Sequence, residues 1–309
     1  MLWFFSFLLG CVNCTGENTQ NISTRFRLED LVVGQNIIAV GFSGKKGRLT
    51  PEPQRTAEIW KVQNGTPARL KQFSNSYFVS IARVDKEIWA VRAKYKHGKK
   101  QFSLHYSNND ALSWMALQDI PVDDVEQIYL HNSCGWIQGR HTLIRSCNNG
   151  KTWKHLPLAP KSISKSTPLS FTEKRVLLGG ENIRYSEDYG LTWTTIEEKA
   201  DVLHKRWVAS VENNQLKIGT IGKDSVDWRY KTDHKYQPTN LFVQKDKIYL
   251  LANNKAKERH PAIALFSKDG GKTFQEKILH GCYDAEKAKI TSKGVAFMSR
   301  RGKMISRQL

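Results

Sequence analysis

Between residues 77 and 146 the apolar positions come in short runs, at 77–84, 87–94, 101–107, 126–131, 134–139 and 141–146, each rich in aromatic and β-branched side chains and each followed by polar turn residues. Runs of this length and composition predict β-strands, and no stretch carries the longer apolar repeat of an extended helix. A different pattern opens the chain. Residues 1–12, Met-Leu-Trp-Phe-Phe-Ser-Phe-Leu-Leu-Gly-Cys-Val, are apolar and uncharged, too short to cross a bilayer but suited to the core of a signal peptide. Small residues at Cys14 and Gly16 fit a cleavage site, although no Lys or Arg precedes the run. The expected division is a signal peptide over 1–16 and one domain over 17–309, hence secretion. A lipid anchor on Cys11, within Leu8-Leu9-Gly10-Cys11, is the alternative. No later stretch predicts a transmembrane segment.

Four of the polar clusters are copies of one another: Ser107-Asn108-Asn109-Asp110-Ala111-Leu112-Ser113-Trp114, Ser146-Cys147-Asn148-Asn149-Gly150-Lys151-Thr152-Trp153, Ser186-Glu187-Asp188-Tyr189-Gly190-Leu191-Thr192-Trp193 and Ser267-Lys268-Asp269-Gly270-Gly271-Lys272-Thr273-Phe274. They recur about every forty residues, with one interval of double length. A degenerate copy is expected in that interval, at Lys231-Thr232-Asp233-His234, and another before the series, at Val62-Gln63-Asn64-Gly65. Each place in the turn has a structural task. Asp or Asn in third place accepts backbone N–H groups, the fifth place takes a positive φ, the hydroxyls satisfy remaining backbone groups, and the terminal aromatic packs inward. Calcium binding or acid–base chemistry by these side chains is disfavoured, because two of the four copies carry Asn in third place.

The turn resembles the Asp-box, or BNR, repeat of sialidases, sortilin-type receptors and photosystem II assembly factors, where it joins the third and fourth strands of propeller blades. The resemblance implies an all-β fold, a single β-propeller with third strands near residues 60, 107, 146, 186, 231, 267 and 306. Seven blades are expected, with six as the alternative, and residues 24–28 are expected to close the ring as the outer strand of the last blade.

Composition supports a globular chain with a sizeable core: 309 residues, 39% hydrophobic and 25% charged. The net charge of +19 is the whole-chain anomaly, and it implies a field attractive to polyanions. Loss of the leader would remove Cys11 and Cys14 and leave Cys134, Cys147 and Cys282. A Cys134–Cys147 disulfide is expected, stapling one hairpin to its neighbour, with Cys282 as the odd thiol. No Cys/His spacing points to a metal, and no cofactor is expected. Asn21 and Asn64 stand in glycosylation sequons.

The candidate site follows from the repeat. Loops joining second to third strands lie at the end opposite the repeated turn. They are expected to hold Lys45, Lys46 and Arg48; Lys94, Lys96, Lys99 and Lys100; Lys255, Lys257 and Arg259; and Arg300, Arg301 and Lys303, with Glu258 as the one acid among them. These belong to blades 6, 7, 1 and 2. Asp119, Asp123, Asp124, Glu126, Glu197, Glu198 and Asp201 are expected on blades 2 to 5, polarising the face. Such an arc fits an anionic glycan, a glycosaminoglycan or a sialylated chain, or an acidic protein surface, and no nucleic-acid partner is expected. A sialidase-like enzyme is the first rival. It would need three Arg, a Tyr activated by a Glu, and an Asp. The family's early Arg-Ile-Pro signature is replaced by Thr24-Arg25-Phe26-Arg27-Leu28, and Tyr283, followed by Asp284, has no evident Glu partner. His97, His204 and His260 read as surface residues. A protein scaffold or assembly factor is the remaining alternative.

Overall fold

The computed structural model describes residues 26–34, 36–44, 50–63, 66–157, 167–232, 236–255, 261–283, 288–291, 294–298 and 304–307, with the backbone alone at 261 and beyond 278. Apart from one 3-10 turn at Glu52–Gln54, every regular element among these residues is a β-strand. The strands form successive antiparallel meanders, six of four strands and one of three.

The first sheet contains β1 (Arg27–Val33), β2 (Ile37–Ser43), β3 (Thr56–Gln63) and β4 (Thr66–Phe73), and the second contains β5 (Ser76–Val84), β6 (Glu87–Lys96), β7 (Lys99–Ser107) and β8 (Met115–Ile120). The third is built from β9 (Gln127–His131), β10 (Cys134–Gln138), β11 (Leu143–Ser146) and β12 (Lys154–His155). The fourth has β13 (Leu169–Phe171), β14 (Val176–Leu178), β15 (Ile183–Ser186) and β16 (Thr194–Ile196). In the fifth are β17 (Val202–His204), β18 (Trp207–Glu212), β19 (Gln215–Ile221) and β20 (Val226–Thr232), and in the sixth β21 (Tyr236–Gln244), β22 (Lys247–Asn254), β23 (Pro261–Ser267) and β24 (Gln275–Tyr283). The last pairs β25 (Ala288–Thr291), β26 (Gly294–Met298) and β27 (Met304–Arg307).

Burial explains the order within a sheet. Second strands are apolar on both faces: Ile88, Trp89, Ala90, Val91 and Ala93 of β6 are all fully buried. Fourth strands alternate or lie open, as in the exposed, Lys- and Arg-bearing β4. A strand apolar on both faces must have protein on both faces, so within each compact unit successive sheets pack against one another.

The chain divides into two compact units, one containing the first three sheets (Gln20–Lys165) and one containing the fourth to sixth (within Ser166–Phe297). In the first unit one apolar cluster joins Ile38, Val40 and Ile59 to Phe78, Ile88 and Ala90, and a second joins Trp89, Phe102 and Leu104 to Ile128, Ile137 and Ile144. In the second unit Leu177, Ile183 and Tyr185 pack with Val208 and Ile221, and Trp207 and Ile218 pack with Leu241, Leu250 and Leu265. First strands are also bonded sideways in the first unit. A bulge after Leu28 and another after Phe78 turn Asp30 and Ser80 toward the neighbouring sheet. The Asp30 carboxylate then accepts from Ser80 Oγ at 2.8 Å, the Ile81 N–H at 3.2 Å and Gln127 Nε2 at 3.1 Å, tying three sheets through one side chain.

Three expectations change. The third strand of the fifth sheet is β19, and residues 226–232 form its fourth strand, so Lys231 and Thr232 end that fourth strand instead of forming the turn that leads into it. The joining turn is Gly222–Ser225, closed by the Gly222 N–H to Ser225 O at 2.8 Å. Arg27 and Leu28 do not pair with the last sheet. They face Phe42 and Gly41 in β1–β2, where a short connection closes the pairing at far lower loop entropy than a contact spanning the whole chain. The Cys134–Cys147 disulfide forms, with Cα atoms 4.1 Å apart, but it links the adjacent strands β10 and β11 of one sheet instead of two hairpins.

Candidate functional site

All four copies of the repeated turn adopt one hydrogen-bonding scheme at the junction of third and fourth strands. In the third sheet Ser146 Oγ accepts the Gly150 N–H at 2.9 Å and donates to Asn148 Oδ1 at 2.9 Å, while Asn148 Oδ1 also accepts the Thr152 N–H at 2.9 Å. Ser186–Asp188–Gly190–Thr192 and Ser267–Asp269–Gly271–Thr273 repeat it, and their carboxylates take the threonine hydroxyl as well. These bonds to the ionised form hold Asp188 and Asp269 well below the usual carboxylate range. Places four and five have positive φ, 56° and 76° at Asn149 and Gly150, and the first copy puts Ala111 there at 65°. The closing aromatic reaches the preceding sheet: Trp153 packs edge-on to Trp89 at 6.3 Å, and Phe274 meets Tyr230 at 4.6 Å. The acceptors in first and third place of the turn are thus committed to the fold. Ser146→Ala should leave the buried Gly150 N–H unpaired and cost about 1–3 kcal/mol in thermal unfolding.

At the opposite end of the first two sheets the structure assembles a charged aromatic cluster. Lys94 and Lys96 end β6, Lys99 and Lys100 begin β7, and the turn between is only His97-Gly98, both at positive φ. The four lysines therefore sit on strands beside a tight tip. Lys96 and Lys99 are exposed and have no carboxylate partner among the described residues. Lys94 pairs with Asp119 at 3.2 Å, so an acid expected away from the basic arc is bound to it. Lys100 lies 3.3 Å from Glu52 Oε2. Glu52, in the 3-10 turn between β2 and β3, also meets the hydroxyl of Tyr95, that of Tyr77 at 3.5 Å, and Arg55 at 3.6 Å. The Arg55 guanidinium stacks over Phe42 at 4.2 Å and Tyr77 at 5.2 Å. Burial pulls the Lys100 ammonium down, but Tyr77 and Glu52 outweigh it and hold the group above its ordinary value. Burial also pushes the Tyr77 hydroxyl up.

Glu52 and Arg55 were absent from the expected site. Glu52 adds a second acid to the connections in which Glu258 stood alone, and no motif marks it; only its place between Pro51 and Pro53 signals a rigid turn. Of the remaining expected residues, Lys255 is exposed after β22 in the second unit. Lys45, Lys46, Arg48, Lys257, Glu258, Arg259, Arg300, Arg301 and Lys303 lie outside the described residues, as do Asn21, Asn64 and His260. Tyr283 ends β24 opposite Pro261, with its side chain outside them too.

Two histidines are not surface groups. His105 is buried against Phe73 and Phe78, with ring centroids at 4.8 and 5.7 Å, and burial together with the charges of Arg92, Lys71 and Lys94 brings its pKa down to about 3. His204 stacks on Phe242 at 5.1 Å and accepts the Val243 N–H on Nδ1 at 3.0 Å; burial, with Lys205, brings it to about 4. Both folded-state values lie below the unfolded value of 6.5. Above pH 6.5 neither state binds the proton, and below it the unfolded chain binds protons that the folded one refuses. Stability is therefore expected to fall from pH 6.5 downward, by up to about 1.4 kcal/mol per pH unit for each histidine. Urea titrations at stepped pH check this, and His105→Gln should flatten the fall between 6.5 and about 3.

Among the described residues no group of three or more His, Cys, Asp or Glu is arranged to hold a metal ion, and no helix is long and apolar enough to cross a membrane. No protein-family model matches the chain, and neither does any curated protein. Solved structures do. A chain from the crystal structure of the mitotic checkpoint complex aligns over 100% of this chain and 99% of its own, at TM-score 0.67 and 10% identity. A putative 6-phosphogluconolactonase from Bacteroides uniformis aligns over 88% and 95%, at TM-score 0.56 and 9% identity. A GH74 xyloglucanase from Xanthomonas campestris aligns over 84% and 46%, at 0.50 and 11%. At such identities the likeness concerns the fold, which is β-propeller-like.

Proposed function

We propose that this chain is a secreted, non-catalytic, seven-bladed β-propeller of the Asp-box type, whose end bearing the second-to-third-strand connections binds an anionic glycan. The observation that carries this reading is the β6–β7 hairpin. Lys96 and Lys99 stand exposed and without a carboxylate partner among the described residues, paired with one another across the hairpin, while Tyr95 and Lys100 pair on its other face. On that other face Arg55 and Lys100 lie over the Tyr77 ring at 5.2 and 5.6 Å, and cations beside aromatic faces with exposed lysines at the same tip suit an acidic sugar. The carboxylates and hydroxyls of the repeated turns bond one another and are occupied by the fold. The net charge of +19 gives the encounter its long-range attraction. A disulfide is compatible with an oxidising, extracellular location.

Retention on immobilised heparin tests the reading. The protein is expected to bind at low salt and elute as salt rises, and Lys96→Ser with Lys99→Ser should weaken binding by about 1 kcal/mol per residue. Retention unchanged by the double substitution would remove this hairpin from the site. Capture of one protein partner with no dependence on glycan would favour the scaffold reading instead.

Three Tyr–Glu contacts, Tyr95–Glu52, Tyr77–Glu52 at 3.5 Å and Tyr236–Glu276 at 2.6 Å, speak for the sialidase-like alternative. Against it, Tyr77 beside Glu52, and Tyr236, are both pushed up by burial and by the nearby carboxylate, opposite to what an activated nucleophile requires. No turnover of a fluorogenic sialoside is expected; turnover lost in Tyr283→Phe would reverse the conclusion.

A further inference from the structure

Glu52 is held as a ligand would be held. Its Oε1 faces the Tyr77 hydroxyl at 3.5 Å and Arg55 Nη1 at 3.6 Å, and its Oε2 takes the Tyr95 hydroxyl and faces Lys100 Nζ at 3.3 Å. Each oxygen therefore meets one hydroxyl and one cation, the complement of a planar, two-oxygen anion. Three of the four donors stand on strands, Tyr77 on β5, Tyr95 on β6 and Lys100 on β7. The fourth, Arg55, is fixed by its own bonds: Nε donates to Thr50 O at 3.1 Å, its carbonyl accepts the Ser76 N–H at 2.9 Å, and its guanidinium lies on Phe42. The acceptor sits on the β2–β3 connection, as Arg55 does, and its side chain is about one-third exposed, at 34%. A rigid donor set filled by a loop carboxylate open to solvent is a site whose occupant can be exchanged.

We propose that Arg55, Tyr77, Tyr95 and Lys100 form a carboxylate-binding subsite for a uronate or sialate residue of an acidic glycan, and that Glu52 fills it as an internal competitor when no ligand is bound. The inference rests on the anionic-glycan reading above and gives it a location and a chemical class. The planar pairing favours carboxylate over tetrahedral sulfate. The half-buried rings of Tyr77 and Tyr95 beside the donors favour a sugar over an acidic peptide, because a pyranose ring can lie against an aromatic surface.

The test is titration of the full chain with a hyaluronan hexasaccharide, which carries carboxylates and no sulfate. If Glu52 occupies the site nine-tenths of the time, removing it should tighten binding about ten-fold. Glu52→Ala is thus expected to bind about ten times tighter than the native chain, and Glu52→Gln, which keeps the shape and loses the charge, should gain in the same direction and decides the matter if the alanine variant melts early. Adding Tyr95→Phe or Lys100→Met to either variant should abolish the gain. Unchanged or weaker binding in both Glu52 variants, with heparin retention still sensitive to Lys96 and Lys99, would overturn the inference and leave the broader reading standing. Heparin retention insensitive to those lysines would overturn the broader reading itself. A gain seen with a poly-glutamate peptide and not with the hexasaccharide would overturn the glycan assignment.

Discussion

Trp89→Ala is expected to lower the unfolding free energy by about 3–5 kcal/mol, the usual cost of truncating a fully buried tryptophan. Trp89 lies in β6 with no exposed surface, donates its Nε1–H to Glu87 Oε1 at 2.7 Å, and stands edge-on to Tyr106 and Trp153. It also fills the space above Gly135 of β10, where an added Cβ would come within 2.2 Å of its ring. Glycine at 135 is therefore a packing requirement set by the tryptophan of the neighbouring sheet. Gly135→Ala alone should be strongly destabilising. In the Trp89→Ala background the same change should cost far less, because the atoms it collides with are gone. Urea unfolding of the four proteins measures the coupling. Additive costs for the two changes would mean that this contact does not set the spacing of the second and third sheets.

That contact shows where sequence reading reaches its limit. The strands at 77–84, 87–94 and 101–107 were legible because each short apolar run ends at a punctuating turn, and the turn itself was legible because every place in it has a local task. Which sheet receives the turn's aromatic was not. Trp153 closes a turn of the third sheet yet packs on Trp89 of the second, and nothing local to Trp153 encodes that partner. The fifth sheet was misread for a related reason. Its turn, Gly222-Lys223-Asp224-Ser225, closes through a single backbone bond without the Ser-x-Asp scheme, and Trp228 has moved inside β20. The nearest Thr-Asp pair along the chain, Thr232-Asp233, then resembles the turn more than the true one does.

The candidate site divides in the same way. The lysines of the β6–β7 hairpin were visible as a charge run, and their position follows from strand alternation. Glu52 and Arg55 were invisible because their role depends on Tyr77, Tyr95 and Lys100, which approach from another sheet. A carboxylate between two prolines reads as an ordinary turn until its partners are in place. His204 likewise reads as a lone polar residue, and it is the ring of Phe242, distant in sequence, that takes it out of solvent.

Opening the Cys134–Cys147 disulfide is expected to cost about 3 kcal/mol, the chain-entropy value for a closed loop of roughly this size. Cys134 starts β10, and Cys147 follows the last residue of β11 and occupies second place in the repeated turn. Gly135 and Ser146, the residues just inside the bridge, are cross-strand partners. The bridge thus clamps the hairpin at the end where Ser146 and Asn148 must hold the turn, and at the strand that carries Gly135 under Trp89. Loss of the covalent link lets β10 and β11 fray from that end, with the third sheet loosening before the second. Melts with and without reductant in a background with Cys11, Cys14 and Cys282 replaced by Ser isolate this bond from the remaining thiols. Reduction should lower the midpoint, and hydrogen exchange should speed up first at Gly150 and Thr152, whose N–H groups the turn satisfies. Equal acceleration in the turn of the second sheet, at Ala111 and Ser113, would mean that the bridge stabilises the unit as a whole and does not act through its own hairpin.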